Sequence, residues 1–153
     1  MAVLVHGSAV AVGTTGVILL GPSGSGKSSM ALRLIHEARQ AGHFAALVSD
    51  DQVLLDRAGQ HIVGTGPETI RGMIELRGSG IGRIEWIDSV ILKLAVKPIQ
   101  VGSENRIPEE NQMVDLSGGI CLPLVCIDLE APDPFARLCA LLPGFPVSGA
   151  FQV

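Results

Sequence analysis

Val17-Ile18-Leu19-Leu20-Gly21-Pro22-Ser23-Gly24-Ser25-Gly26-Lys27-Ser28-Ser29 is the stretch on which the fold turns. Four apolar residues read as a buried strand and stop at a glycine. From Lys27 to about Ala41, apolar residues recur at Met30, Ala31, Leu34, Ile35 and Ala38, the spacing of one helical face. Between them, Gly21–Ser28 fits the phosphate-binding pattern G-x-x-x-x-G-K-[ST]. The glycines let consecutive backbone N–H groups turn inward with no Cβ in the way, and the following helix adds its positive end. Lys27 supplies a point charge for the β- and γ-phosphates, and the Ser28 hydroxyl suits Mg²⁺. Gly21, Pro22, Ser23, Gly24, Ser25, Gly26, Lys27, Ser28 and Ser29 are therefore expected to hold ATP, with Mg²⁺ as the second cofactor. A glycine-rich turn before an ordinary helix is the plainer alternative, but chance produces this pattern in fewer than about one such chain in a hundred. The pattern specifies phosphate and leaves the reaction open.

Around this motif the chain of 153 residues suggests one domain, 1–153. Aromatics are only 3% of it, so the core must be built from Val, Ile, Leu and Ala. A net charge of −4 argues against a diffuse basic surface for nucleic acid. Three cysteines, Cys121, Cys126 and Cys139, form no CxxC pair and point to reduced thiols and a cytoplasmic location. The apolar start is interrupted at His6-Gly7-Ser8 and Gly13-Thr14-Thr15 and lacks a basic leader, which argues against a signal peptide. No run reaches the ~18 apolar residues of a membrane helix.

Outward from the motif, Ala2–Val5 and Ala9–Val12 read as short strands flanking His6-Gly7, and Ala45–Val48 as a buried strand ending at Asp50-Asp51. Gln52–Leu55 continues extended to a hairpin turn at Arg57–Gln60. Gly64–Gly82 shows no clear pattern. Trp86–Val96 reads as a strand, Lys97–Asn111 as a loop, and Ile120–Leu129 as extended. Asp133-Pro134 offers an N-cap and first-turn proline for a helix over 135–142, and the last ten residues are expected to be frayed or partner-dependent.

Asp50 and Asp51 close the strand after the P-loop helix, where the carboxyl ends of neighbouring strands share a crevice. Adjacent strand residues point to opposite faces, so unless the strand ends there the two need different roles. One would hold the metal or its water, and the other would accept a proton from an incoming hydroxyl. Glu75 is a candidate metal ligand and Arg77 a phosphate or carboxylate partner, although a surface ion pair explains them equally well. His6 alone reads as a structural histidine.

His6-Gly7, Gly21–Ser28, Val48-Ser49-Asp50-Asp51 and Ile74-Glu75-Leu76-Arg77-Gly78-Ser79-Gly80-Ile81 together resemble the catalytic domain of bacterial HPr kinase/phosphorylase in order and spacing, over roughly residues 3–85. The last element is the most specific, because ordinary P-loop enzymes lack it. The resemblance implies an α/β P-loop kinase fold with a mixed β-sheet and few helices. It implies ATP-dependent phosphorylation of a serine of the phosphocarrier HPr or a nitrogen-type paralogue, with reverse phosphorolysis in full-length members. It further implies Asp51 as proton acceptor, Lys27 on the transferring phosphate, Ser28 and Glu75 on Mg²⁺, Asp50 beside the metal and His6 in the active site. An essential arginine of the family is best matched by Arg106. Family members form hexamers. The family's N-terminal domain, its basic segment near Leu122–Cys126 and its HPr-docking C-terminal helix have no counterpart here, as in a short form, so kinase activity is expected ahead of phosphorylase activity. A small-molecule kinase and a non-enzymatic ATP sensor are the alternative readings.

Overall fold

The computed structural model describes residues 2–102, 112–116 and 119–147. Strands β1 (Val3–Val12) and β2 (Thr15–Leu20) lead through the glycine loop into helix α1 (Lys27–Gln40). There follow β3 (Ala45–Ser49), β4 (Gln52–Ala58), β5 (His61–Thr65), the short pair β6 (Met73–Leu76) and β7 (Gly80–Arg83), then β8 (Ser89–Ile99), β9 (Met113–Asp115), β10 (Cys121–Asp128) and α2 (Pro134–Leu141).

Two long strands organise the sheet. β1 pairs with β2 along one edge; along the other it pairs first with β4, at Val3–His6, and then with β3, at Ala9–Val12, with a register shift between Ala9 and Val10. β8 likewise pairs with β5 over Ser89–Leu92, with β10 over Ala95–Ile99, and with β2 along its opposite edge. The pairings β2–β1–β4–β5–β8–β2 therefore close a ring of five strands. At that closure a Cβ on Gly16 would sit 2.5 Å from the Ile91 carbonyl oxygen, so only glycine lets β2 approach β8 there. β2, β8 and β10 run parallel, and β3, reached through the reversed β1, shares their direction. The carboxyl ends of these strands consequently emerge on one side, the rule for ligand crevices in open α/β sheets.

Both faces of this sheet are covered, which is why its strands read as continuous apolar runs rather than alternations. Val10, Val12, Val17, Leu19, Leu94 and Val96 pack on one face against Met30, Leu34, Ile35 and Ala38 of α1, with Leu138 and Phe145 beyond. Ala9, Ala11, Ile18, Val53, Leu55 and Leu92 pack on the other. The buried face of α1 is the one its sequence periodicity specifies. The helix ends as expected at Gly42, whose φ of 92° suits only glycine well and places His43 N–H on Ala38 O.

Three expectations are corrected, and one stretch without a clear pattern is given its structure. His6-Gly7 does not interrupt the first strand: Gly7 pairs with Leu20 and donates its N–H to Asp51 O (3.1 Å). The stretch Gly64–Gly82 is structured, holding a 3-10 turn at Glu68–Ile70 and most of the β6–β7 hairpin. The strand placed at Trp86–Val96 starts at Ser89 and continues through Pro98 to Ile99, into the region read as a loop. The tail is not frayed where it is described: Phe145 is buried, and the Thr15 hydroxyl donates to Pro146 O (2.8 Å). No described helix is long and apolar enough to cross a membrane.

Candidate active site

The glycine loop emerges from the carboxyl end of β2 and delivers three positive-φ glycines, Gly21 (146°), Gly24 (82°) and Gly26 (96°). Gly26 precedes α1 without any side-chain cap, and the first turn carries no acid. The leading N–H groups of the helix are therefore left to an anion, which the helix dipole favours. Ser25 Oγ is buried with no protein partner, a further polar atom in this cradle. Lys27 is nearly buried and its ammonium donates to Gly21 O (2.7 Å) and Pro22 O (3.0 Å), holding the loop closed on itself. These features fit the phosphates of a nucleotide.

β3 ends at Ser49, and the chain turns sharply at Asp50-Asp51 before β4 resumes along the same edge of β1. That turn sends the two carboxylates different ways. Asp50 points inward, 7% exposed, and is held by three donors: the hydroxyls of Ser8 and Ser28 on Oδ1 (2.7 Å each) and the Glu75 N–H on Oδ2 (2.9 Å). Charge-assisted bonds of this kind are what allow a carboxylate to lie buried. Asp51 adopts φ 70°, the only non-glycine residue among those described to do so, and projects into solvent. Its N–H donates to Ser8 Oγ (3.3 Å), and its Oδ1 lies 3.8 Å from His6 Nδ1. A backbone strained in this way at a cleft is a recognised mark of functional positions.

The β6–β7 hairpin completes the arrangement. Ile74 turns inward to the core, so its neighbour Glu75 turns outward towards the glycine loop. A cleft of about 620 Å³ results, with Lys27, Ser28, Asp51, Glu75, Arg77 and Arg33 among its walls. The oxygen donors Ser28, Asp50 and Glu75 suit a hard cation such as Mg²⁺. The structure thus brings together the glycine loop, both aspartates and Glu75, and sets His6 beside Asp51, a place that the family resemblance implied and the lone histidine did not. Arg106 lies outside the described residues.

Two residues were not singled out from the sequence. Ser8, fully buried, joins Asp50 to the Asp51 backbone; nothing local marks it, since its partners lie more than forty residues away. Arg33 was legible, standing four residues after Ser29 on the same side of α1. It donates to Leu129 O (2.7 Å), just beyond the carboxyl end of β10, while its buried Nε has no protein partner.

Residues 1–91 match the family model described as the HPr Serine kinase C-terminal domain. The chain belongs to that family. It is 46% identical over 136 residues to the HPr kinase/phosphorylase of Caldicellulosiruptor bescii, covering 82% of this chain and 42% of that protein. The counterpart in Mycoplasmopsis pulmonis is 42% identical over 79 residues, 52% of this chain and 24% of its own length. The chain thus spans about a quarter to two-fifths of the curated relatives it matches. Among solved structures, the Hpr(Ser) kinase/phosphatase from Coxiella burnetii superposes with a TM-score of 0.70 at 20% identity, covering 90% of this chain and 92% of that one. That likeness establishes the fold: a mixed sheet with few helices.

Proposed function

We propose that this chain is an ATP-dependent kinase that transfers phosphate to a serine of the phosphocarrier HPr or of a nitrogen-type paralogue. Its family membership supports the reading, and one observation carries it. Asp50, clasped by Ser8, Ser28 and Glu75 N–H, fixes the metal-suited side chains and Asp51 on one wall of the glycine-loop cleft. ATP with Mg²⁺ would supply an activated phosphoryl group with its charge partly neutralised.

The residues divide the remaining work. The loop amides and Lys27 take up the phosphates, Lys27 exchanging its bonds to Gly21 O and Pro22 O for phosphate oxygens. Ser28 and Glu75 would hold the cation, with Asp50 bonded to the Ser28 hydroxyl and the Glu75 N–H. Asp51, solvent-facing and free of the hydrogen bonds that occupy Asp50, accepts the proton of the incoming seryl hydroxyl. His6 stands beside it, its Nδ1 3.8 Å from Asp51 Oδ1. Such positioning and electrostatics supply most of the catalysis in phosphoryl transfer.

The test is transfer. The chain is incubated with ATP and Mg²⁺, either with purified HPr and its nitrogen-type paralogue or with a panel of hydroxylated metabolites, and phosphoserine is read by mass spectrometry. Phosphoserine on a phosphocarrier is expected. Phosphorylation of metabolites alone would point to a small-molecule kinase, and ATP binding with no transfer would point to a sensor.

A further inference from the structure

The cleft has two ends. Across the sheet the strands stand in the order β3, β1, β2, β8, β10, and the glycine loop leaves from β2 in the middle. Asp50 and Asp51 follow β3 on one side. Leu129 and Glu130 follow β10 on the other, and line the same cleft. This second wall is firmly built. Leu129 donates its N–H to Ile99 O (2.8 Å), and its own carbonyl accepts from Arg33 Nη2 (2.7 Å). The Glu130 N–H donates to Asp128 Oδ1 (3.1 Å) in the turn that follows β10. Leu129 also reaches the glycine loop: a Cβ on Gly26 would lie 3.8 Å from it, in ordinary contact. The Glu130 side chain is exposed and has no hydrogen bond or ion pair among the described residues.

We infer that this wall is the nucleoside subsite: Leu129 packs against the base, the Glu130 carboxylate accepts hydrogen bonds from the ribose hydroxyls, and Arg33 fixes the wall to α1 through the Leu129 carbonyl. This rests on the kinase reading above and adds how the donor nucleotide is distinguished from a bare polyphosphate. Three observations carry it. The transferring phosphorus must face Asp51, so a triphosphate lying along the glycine loop turns its other end towards β10. A carboxylate with no protein partner repels phosphate and suits a group that brings hydroxyl donors, which is what a ribose presents. The cleft, at about 620 Å³, has the size of sites that enclose a whole small ligand rather than its phosphates alone.

Calorimetry with Mg²⁺ present tests it, using ATP, 2′-deoxyATP and inorganic tripolyphosphate on the wild-type chain and on Glu130→Ala, an exposed position whose replacement leaves the core untouched. The expected result is a Kd for ATP raised about five- to tenfold by Glu130→Ala. Tripolyphosphate should bind the variant as tightly as wild type or more tightly, because a negative charge has left the cleft. 2′-DeoxyATP should bind wild type more weakly than ATP, and that gap should close in the variant. A Kd for ATP within about twofold of wild type in Glu130→Ala, an equal loss for tripolyphosphate, or a gap that stays open overturns the subsite and leaves the kinase reading intact. A wild-type chain that binds all three ligands as expected but phosphorylates no phosphocarrier overturns the kinase reading and leaves the subsite standing.

Discussion

Replacing Asp50 by alanine removes the acceptor for three donors at once. Ser28 opens onto the cleft and can turn its hydroxyl to water. Ser8, fully buried, and the Glu75 N–H cannot do so readily. An orphaned buried donor costs about 1–3 kcal/mol, so the pair centres on about 4 kcal/mol. For a chain of this size each kcal/mol lowers Tm by about 2–4 °C, which gives a fall of about 8–16 °C. Asp50→Asn should be milder, at about 1–2 kcal/mol. Its carbonyl can accept from Glu75 N–H while its amide donates to the two hydroxyls, which are free rotors and can accept. Thermal melts followed by circular dichroism, with urea titrations for the free energies, read both variants. An Asp50→Ala protein melting within about 2 °C of wild type, or an Asn variant as unstable as the Ala one, would refute the idea that Asp50 ties these elements together.

Asp51→Gly should keep or raise Tm, because glycine relieves a left-handed backbone that costs an ordinary residue about 1–2 kcal/mol, yet phosphotransfer should vanish; a melt and a transfer assay check both halves. The Glu37 carboxylate accepts from the N–H groups of Phe135 and Ala136 at the start of α2 (2.8 and 3.1 Å), so Glu37→Ala should destabilise by about 1–2 kcal/mol, measured by urea unfolding. Burial pushes the Cys126 and Cys139 thiols up, with Glu37 adding to the effect at Cys139, whereas Cys121 is exposed. Near pH 8 the native protein should therefore be alkylated first at Cys121, and labelling of the other two should climb as the pH rises, which peptide mass spectrometry resolves.

How much of this could be read from the sequence depended on range. The strand–loop–helix at residues 17–40 is encoded locally, in a run of apolar residues, a set of glycines and one helical periodicity, and each part is where it was expected. Asp50 and Asp51 were legible as a strand end. Different roles for the two were expected, and the resemblance implied which took which; the geometry that separates them was not legible, because it depends on Asp51 entering the left-handed region and on Ser8 standing across from Asp50. The β6–β7 hairpin escaped notice because its strands are four residues long and because Gly80 and Gly82 occupy positions where apolar side chains would have shown the alternation. The burial of Phe145 and Pro146 was hidden for a different reason. Its anchor, Thr15, lies 131 residues away from Pro146, and no local pattern reports a contact of that separation.

The central claim is that Asp51 takes the proton from an incoming serine while the glycine loop holds the nucleotide. The most direct test is Asp51→Asn, with ATP affinity measured by calorimetry and phosphoserine on HPr measured by mass spectrometry in the same preparation. The account predicts ATP binding within twofold of wild type and transfer reduced about 10²–10⁴-fold. Transfer at the wild-type rate by a protein that still binds ATP would contradict it.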